Sequence, residues 1–521
     1  MSNTVVAKCN RGLLWLLSTI LLASALLLQL RLAPNLDFDG EVLWSDAEPL
    51  YGLRCARSGE IPYHDFSRPP HVVASYGPLF YAVPGTVARL LNTSWIGMIV
   101  CGRTYIYVAW LGVALALYAL ARQIGCEVSL AAIAGLLWLA GALAWEWAIA
   151  YRPDAPALLL SLGGLWLYQR RTSWLALAAT VALLVAAFFH KQTYVAVWLA
   201  IVVTETTQRR WGRAGAVFGS WVIAVAVGVM VTQTLSRGAF VKNAFGAVLL
   251  WKSLAQVWAW LRMAMIRGIA VFAGGWLAGV VTHNDQRLAL LRRSYAISFA
   301  IAVASSIKFG ATINYYLEPF AMACVLSAGL VRRRSDPAAD SLARGVGTAW
   351  LGLAVVISAI TLWSRVEHAS EWWRAVVDHR VTRAQQAQEW DRIANCLGEW
   401  KGRVLVEDLY LAARQSREMF LLYPEHLEAL GEAGKFDDTE LRQRIAGGGF
   451  DAIVANFPLE DKAPTRQFPE RWLEAATGHY VMEKRCGRGV HGDAFYVYRP
   501  VGETNEASGL NRSPDGSQRT N

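Results

Sequence analysis

Residues 152–171 read RPDAPALLLSLGGLWLYQRR, an apolar run that begins on Arg152-Pro153-Asp154 and ends on two arginines. About 17–25 mostly apolar residues are needed for a helix to cross hydrocarbon, so this run has the length and composition of a membrane span. Similar apolar runs recur along the chain, and several of them end on arginine pairs or triplets. The pattern predicts an integral membrane protein with many helices.

The overall composition supports this class. Of the 521 residues, 55% are apolar and only 17% are charged, whereas soluble domains average about 25% charged residues. The net charge of +10 comes largely from arginines in short loops, which is typical of cytoplasmic loops of membrane proteins. We therefore expect no nucleic-acid partner.

The arginine clusters also predict a topology, with the N-terminus inside and the C-terminus outside. We predict about 11 transmembrane helices. The predicted spans are 12–32, 97–121, 128–149, 155–169, 174–189, 193–208, 214–235, 268–282, 294–307, 311–331 and 347–364. An amphipathic stretch at about 237–266 is predicted to lie in an outer loop.

The predicted domains follow from this topology. Residues 1–364 form an all-α polytopic membrane domain, and 33–95 form its first outer loop, in which the apolar stretch 77–91 is predicted to be an interfacial helix. Residues 365–501 are predicted to be a small extracytoplasmic α/β domain, because the β-like runs 403–409, 451–457, 480–486 and 494–500 alternate with helical patterns. The polar tail 502–521 is predicted to be disordered.

The cysteines do not define a metal site. The seven are scattered, and no Cys-x-x-Cys occurs. Cys396 and Cys486 lie in the C-terminal region, where both a disulfide and two unpaired thiols remain open from the sequence.

Four polar motifs lie at the ends of apolar runs, all on the outer side of the predicted topology. Ionisable groups at the edge of hydrocarbon are costly and usually mark a functional site. The motifs are the acidic stretch with Asp37, Asp39, Glu41, Asp46 and Glu48; Arg152-Pro153-Asp154; His190-Lys191-Gln192; and Lys308 with Asn314-Tyr315-Tyr316-Leu317-Glu318.

Each motif has a functional and a structural interpretation. The carboxylates Asp39, Glu41, Asp46 and Glu48 are candidate general bases or ligands of a divalent cation, or form a solvated acidic loop. Arg152 stands where a helix N-terminus repels cations, which favours an anion such as phosphate beside it.

The motifs His190-Lys191-Gln192 and Lys308 with Asn314–Glu318 are predicted to bind the same substrate as Arg152. The structural alternative for His190, Lys191 and Gln192 is a turn whose polar groups snorkel to the membrane surface. An interfacial aromatic belt would account for Tyr315 and Tyr316 but not for Glu318.

In this order the motifs resemble those of the GT-C superfamily of membrane glycosyltransferases, near the protein O-mannosyltransferases and lipid A aminoarabinose transferases. The resemblance covers roughly residues 12–331 and rests on the acidic first loop, GEIPYHDF, YGPLFY, YRPDAPALLLSLGGLWL, FFHKQTY and INYYLEP. It implies transfer of a sugar from a polyprenyl-phosphate donor to an extracytoplasmic acceptor, with a first-loop carboxylate as base or metal ligand. By position Asp39 and Glu41 match best, followed by Asp46 and Glu48, although Asp39-Gly40-Glu41 replaces the adjacent Asp-Glu pair of better-known members.

The sequence therefore predicts an inverting glycosyltransferase of a bacterial inner or plasma membrane, with a glycan, lipid or protein as acceptor. Arg152, Asp154, His190, Lys191, Gln192, Lys308, Asn314, Tyr315, Tyr316 and Glu318 are the predicted substrate-binding residues. The alternative is a non-catalytic carrier or flippase for a lipid-linked or anionic solute, which would use the same cations without the acidic loop. A structural or sensor protein would leave the cations unexplained.

Overall fold

The structure is a computed structural model that describes residues 3–42, 46–69, 71–171, 173–332, 337–397, 403–414, 424–459, 468–488 and 494–501. The described residues divide into two compact units. The larger unit draws on Met1–Phe38, Val42–Tyr63 and Ala74–Arg380, and the smaller on Asp39–Glu41, His64–Val73 and Val381–Asn521. The predicted tail, 502–521, lies outside the described residues.

The larger unit is built of helices. They are α1 Asn3–Leu32, α2 Ala47–Ser58, α3 Pro78–Leu90, α4 Trp95–Gln123, α5 Val128–Leu139, α6 Asp154–Arg170, α7 Trp174–His190, α8 Ala196–Thr207, α9 Trp211–Leu235, α10 Ala239–Val241, α11 Leu254–Val281, α12 Gln286–Ser305, α13 Leu317–Val331 and α14 Pro337–Val377. Every predicted span overlaps one of these helices, and the stretch 77–91 corresponds to α3. The fold class predicted from the sequence is thereby confirmed.

Six helices among the described residues are long and apolar enough to cross a membrane. They lie at Asn10–Asn35, Trp95–Gln123, Trp211–Leu235, Leu254–Val281, Gln286–Ser305 and Leu342–Val377. The other predicted spans are shorter helices of 12 to 17 residues: α5, α6, α7, α8 and α13.

Helix α13 forms the centre of the larger unit. It is buried from Leu317 to Leu330 and packs against α11, α12, α5 and α4. Its Ala, Ser, Cys and Gly side chains are small, which allows neighbouring helices to approach closely.

One predicted span and one predicted loop segment have the wrong bounds. The helix predicted at 128–149 ends at Leu139, and a short 3₁₀ turn, Trp145–Trp147, follows before α6. The stretch predicted as an outer amphipathic segment, 237–266, instead contributes its second half to α11, which runs through a kink at Gly268. The strong apolar content of 254–266 explains why these residues continue the span.

The boundary predicted at residue 364 falls inside α14, which continues to Val377. A second helix, α15 His379–Leu397, follows it.

The smaller unit contains a four-stranded mixed sheet in the order β1-β2-β4-β3. The strands β1 Val404–Val406, β2 Ala452–Ala455, β3 Tyr480–Arg488 and β4 Ala494–Pro500 fall within or close to the four predicted β-like runs. Strands β1 and β2 are parallel, and β4 pairs antiparallel with β2 and β3. The helices of this unit after α15 are α16 Leu409–Arg414, α17 Pro424–Glu432, α18 Thr439–Ala446 and α19 Glu470–Ala476.

A disulfide joins Cys396, near the end of α15, to Cys486 on β3. The sequence left open a disulfide or two unpaired thiols, and the structure contains the disulfide. The bridge closes a chain segment with a sequence separation of 90 residues.

Candidate active site

Helix ends bring two of the predicted motifs together in the larger unit. Helices α6 and α7 are neighbours joined by a short connection, so the start of α6 lies beside the end of α7. Arg152 and Pro153 immediately precede α6, Asp154 is its first residue, and Lys191 directly follows α7. Proline near a helix start is favourable because its fixed φ angle suits the first turn.

Asp154 is the centre of a buried hydrogen-bonded group. Lys191 Nζ donates to Asp154 Oδ1 at 2.6 Å, and Asn314 Nδ2 donates to Asp154 Oδ2 at 3.1 Å. The ammonium of Lys191 also lies 4.4 Å from the centroid of the Tyr315 ring. Burial lowers the pKa of Lys191, and the carboxylate of Asp154 opposes that shift by favouring the charged ammonium. Three predicted motifs therefore meet at one ion pair.

Arg152 connects the first loop to the start of α6. Its Nη1 donates to the Tyr76 hydroxyl at 2.7 Å, and its Nε lies 3.5 Å from Asp46 Oδ1. Asp46 is fully buried at the start of α2, and its other carboxylate oxygen accepts the Val42 N–H at 3.2 Å. The protein itself thus supplies an anion that offsets the cation at the α6 N-terminus.

Glu48 and Gln192 hold the segment that precedes Tyr76. Glu48 Oε1 accepts the Ser75 N–H at 2.8 Å, while Gln192 Nε2 donates to the Ser75 carbonyl at 3.3 Å. Burial raises the pKa of Glu48, although the Ser75 N–H and the charge of Arg152 oppose the shift. These contacts position Tyr76 beside Arg152, and burial raises the pKa of Tyr76 to about 12.

Gly77 lets the first loop approach the end of α7. Its N–H donates to the carbonyl oxygen of His190 at 3.2 Å, and a Cβ atom at this position would overlap the backbone of Phe189. The imidazole of His190 is occupied by protein groups, since Nδ1 lies 2.8 Å from the Ala186 carbonyl oxygen and Nε2 lies 2.6 Å from the Tyr105 hydroxyl. We interpret His190 as a residue that positions the loop, and its role in substrate binding stays a prediction.

Lys308 is a cation without a protein partner, because its ammonium makes no hydrogen bond or ion pair with any residue that the structure describes. Its backbone is fixed, since the carbonyl accepts Gln256 Nε2 at 2.7 Å and the residue forms an antiparallel bridge with Trp251. Burial lowers the pKa of Lys308, and the nearby charge of Lys191 lowers it further. A bound anion would offset the repulsion between these two ammonium groups.

Tyr316 and Glu318 take part in helix packing. Tyr316 is fully buried, its hydroxyl accepts the Ser306 hydroxyl at 3.3 Å, and its ring packs edge-on against Phe299 with centroids 6.0 Å apart. Glu318 accepts the Ser161 hydroxyl at 3.0 Å. Their predicted role in substrate binding stays a prediction.

The smaller unit contains Asp39 and Glu41, the two carboxylates that match the sequence resemblance best. Asp39 lies 3.1 Å from Arg414 Nη2 and accepts the Tyr410 hydroxyl at 2.6 Å, and its backbone carbonyl accepts Trp390 Nε1 at 3.0 Å. Asp39 therefore has partners within the C-terminal unit. The catalytic role of Asp39 and Glu41 stays a prediction.

Sequence reasoning missed Tyr76 as a member of the site. The YGPLFY stretch was a recognisable motif, but nothing in the sequence indicates that its first tyrosine contacts Arg152. Among the described residues, no three His, Cys, Asp or Glu side chains form a group that could hold a metal ion. The divalent cation considered from the sequence stays a prediction.

The arrangement of short and long helices with polar groups at their ends is also found in solved structures of other membrane proteins. ArnT from Cupriavidus metallidurans has this fold: its apo crystal structure superposes with a TM-score of 0.57 at 14% identity, covering 94% of this chain and 98% of ArnT. The crystal structure of ArnT bound to undecaprenyl phosphate gives a TM-score of 0.55 at 15% identity, covering 93% of this chain and 97% of ArnT. The archaeal oligosaccharyltransferase AglB from Archaeoglobus fulgidus is less similar, with a TM-score of 0.48 at 13% identity over 92% of this chain and 74% of AglB.

The likeness to ArnT shows that this chain shares the fold of that protein. No sequence-family model matches the chain. No curated protein matches it in sequence either.

Proposed function

We propose that this protein transfers a sugar from a polyprenyl-phosphate donor to a glycan, lipid or protein acceptor at the membrane surface. The observation that supports this most directly is the ammonium of Lys308, which has no partner among the described residues and lies close enough to Lys191 for their charges to interact. A lipid-linked phosphate at the edge of the bilayer requires such cations. ArnT, which shares the fold, binds undecaprenyl phosphate in its crystal structure.

In the proposed reaction the acceptor oxygen or nitrogen attacks the anomeric carbon of the donor sugar. The new bond forms as the bond between that carbon and the phosphate oxygen breaks, and the electron pair leaves with the polyprenyl phosphate. The acceptor proton passes to a carboxylate acting as general base. Lys308 and Lys191 would stabilise the negative charge of the departing phosphate, so no general acid is required, and attack opposite the leaving group inverts the anomeric centre.

We propose Asp46 as the general base. It belongs to the same unit as the three cations and lies beside Arg152, whereas Asp39 is bonded to Arg414 and Tyr410 in the smaller unit. Glu48 is better described as a positioning residue, since its carboxylate fixes the backbone of Ser75. Because Asp46 is fully buried in this structure, the proposal requires Asp46 to become accessible when the acceptor binds.

The donor site can be tested with Lys308→Gln, which removes the charge without leaving a buried partner unpaired. We expect the apparent KM for polyprenyl-phosphate sugar to rise about 10- to 100-fold, the equivalent of one lost charged hydrogen bond of about 1.5–3 kcal/mol. The same variant should bind undecaprenyl phosphate more weakly by a similar factor. Both quantities can be measured with purified protein in detergent.

Lys252→Gln is the matched control. Lys252 is exposed and its backbone N–H bonds to Ile307, directly beside Lys308, while its ammonium lies 5.2 Å from the centroid of the Phe309 ring. A loss of donor affinity of equal size in both variants would mean that general surface charge, rather than a phosphate site at Lys308, attracts the lipid.

We further propose that the candidate site and the C-terminal unit face the extracytoplasmic side. The disulfide between Cys396 and Cys486 supports this side for the C-terminal unit, because disulfides persist in oxidising compartments and are rare in the cytosol. The arginines at the opposite helix ends, such as Arg170 and Arg210, suit a cytoplasmic face.

This orientation is tested by single cysteines introduced at exposed positions. A membrane-impermeant maleimide added to intact cells should label Glu60→Cys, which lies just after α2, and should not label Arg170→Cys at the end of α6. Both should react after the membrane is opened with detergent. Labelling of Arg170→Cys but not Glu60→Cys in intact cells would reverse the proposed sidedness.

A further inference from the structure

A polar cavity lies at the helix ends opposite the candidate active site. Helix α6 begins at Asp154 in that site and reaches Tyr168 about 21 Å further along its axis, at a rise of about 1.5 Å per residue. There the ends of α4, α6 and α8 and the starts of α9 and α12 surround a cavity of about 320 Å³. The mechanism proposed above makes no use of it.

The cavity carries a net positive charge. Glu205 is fully buried, accepts the Tyr168 hydroxyl at 2.7 Å, and lies 3.1 Å from Arg213 Nε. That ion pair leaves Arg210 and Arg287 as excess cations, since Arg210 reaches Glu205 only at 4.0 Å and is 57% exposed. The guanidinium of Arg287 has no partner among the residues described. An anion fits this charge balance.

Two amide groups add hydrogen-bonding capacity. The side-chain oxygens of Gln123 and Gln169 line or adjoin the cavity, are buried, and have no hydrogen-bond partner in the described structure. Buried polar atoms normally have partners, so these oxygens favour a ligand or water that supplies hydroxyl donors. A phosphate group attached to a polyol supplies both the anion that suits the arginines and the hydroxyl donors that suit the two amide oxygens.

An apolar groove of about 900 Å³ lies beside the cavity, along α11 and α12. Phe272, Trp276 and Phe299 line it, Arg292 and Arg293 lie at its end nearest the cavity, and Ala289 lines both the groove and the cavity. A groove of this composition suits a hydrocarbon chain. Its position next to a cationic cavity, with Ala289 between them, favours a ligand with an anionic headgroup and an apolar tail.

We propose that the cavity and groove together bind one anionic phospholipid, with its phosphate between Arg210 and Arg287 and one acyl chain in the groove. The site lies at the opposite ends of the helices from the candidate active site, so it is distinct from the donor site. The lipid would join α8, α9 and α12 at the membrane surface.

The test uses full-length protein, purified and stripped of lipid, with binding measured by native mass spectrometry. The probes are phosphatidylglycerol and, for comparison, phosphatidylcholine of the same chain length. Arg210→Gln with Arg287→Gln should weaken phosphatidylglycerol binding about tenfold or more, because it removes charged contacts to the phosphate. Arg170→Gln, which removes an exposed charge at the same helix ends but does not line the cavity, should leave binding unchanged.

A second variant tests the groove. A Cβ atom at Gly279 would meet no atom within 4 Å, so Gly279→Leu should fill the groove without displacing the backbone. We expect it to weaken phosphatidylglycerol binding while leaving competition by glycerol 3-phosphate unchanged. Normal lipid binding in the double arginine variant, or equal binding of both lipids by wild-type protein, would overturn the proposal. Competition by glycerol 3-phosphate with no effect of Gly279→Leu would indicate a site for free phosphate esters and would likewise overturn it.

Discussion

Replacing Asp46 by asparagine is expected to abolish sugar transfer while the protein still inserts and folds. Asparagine preserves the size of the side chain and can still accept the Val42 N–H, but it cannot take a proton from the acceptor. Loss of a general base typically lowers the rate about 10²–10⁴-fold. The measurement is transfer activity in isolated membranes, normalised to the amount of folded protein.

Glu60→Gln is the control for Asp46→Asn, since Glu60 is an exposed carboxylate of the same loop and should be dispensable. Glu48→Gln keeps the acceptor for the Ser75 N–H and should cost much less than Asp46→Asn. Full activity of Asp46→Asn would remove Asp46 as the base and return that role to Asp39 or Glu41. If neutralising Asp39, Glu41, Asp46 and Glu48 together left activity unchanged, a non-catalytic carrier would be favoured.

Breaking the ion pair of Asp154 and Lys191 is expected to lower both the stability of the protein and its transfer activity. Lys191→Met leaves the buried carboxylate of Asp154 without its cation, and breaking one side of a buried pair typically costs about 3–5 kcal/mol. We expect lower yield in the membrane, a lower melting temperature in detergent, and no transfer activity.

The double variant Asp154→Asn with Lys191→Met separates folding from function. Removing both charges should restore much of the stability, because no unpaired buried charge remains. Transfer should stay absent if Lys191 contacts the donor phosphate. A double variant that is both stable and active would show that the pair only supports the fold.

Much of the helical architecture can be predicted from the sequence because hydrophobic length and arginine placement are local signals. The predicted helix bounds are wrong where tertiary contacts override the local apolar pattern. The run 128–149 is apolar enough for a span, but its helix ends at Leu139, and the carbonyl of the next residue, Ala140, accepts a hydrogen bond from Arg365, far away in sequence. Tertiary contacts of that kind leave no periodic pattern in the chain.

The site shows the same limit. Motif position could predict that Arg152, Lys191 and Lys308 lie at helix ends on one side, yet it could not predict their partners. Asp46 lies beside Arg152, and Tyr76 completes that contact, because the fold of the first loop brings both side chains to the start of α6. Loop geometry of this sort depends on backbone contacts such as that of Gly77 with His190.

If this protein consumes a polyprenyl-phosphate sugar, its loss must change the pool of that lipid. The measurement is mass spectrometry of lipid-linked sugars in cells of the source organism that lack the gene. We expect a polyprenyl-phosphate sugar to accumulate, one surface glycan or modified lipid or protein to disappear, and both changes to be reversed by wild-type protein but not by Asp46→Asn. An unchanged lipid-linked sugar pool, together with unchanged surface glycans, would show that the protein does not consume a polyprenyl-phosphate sugar.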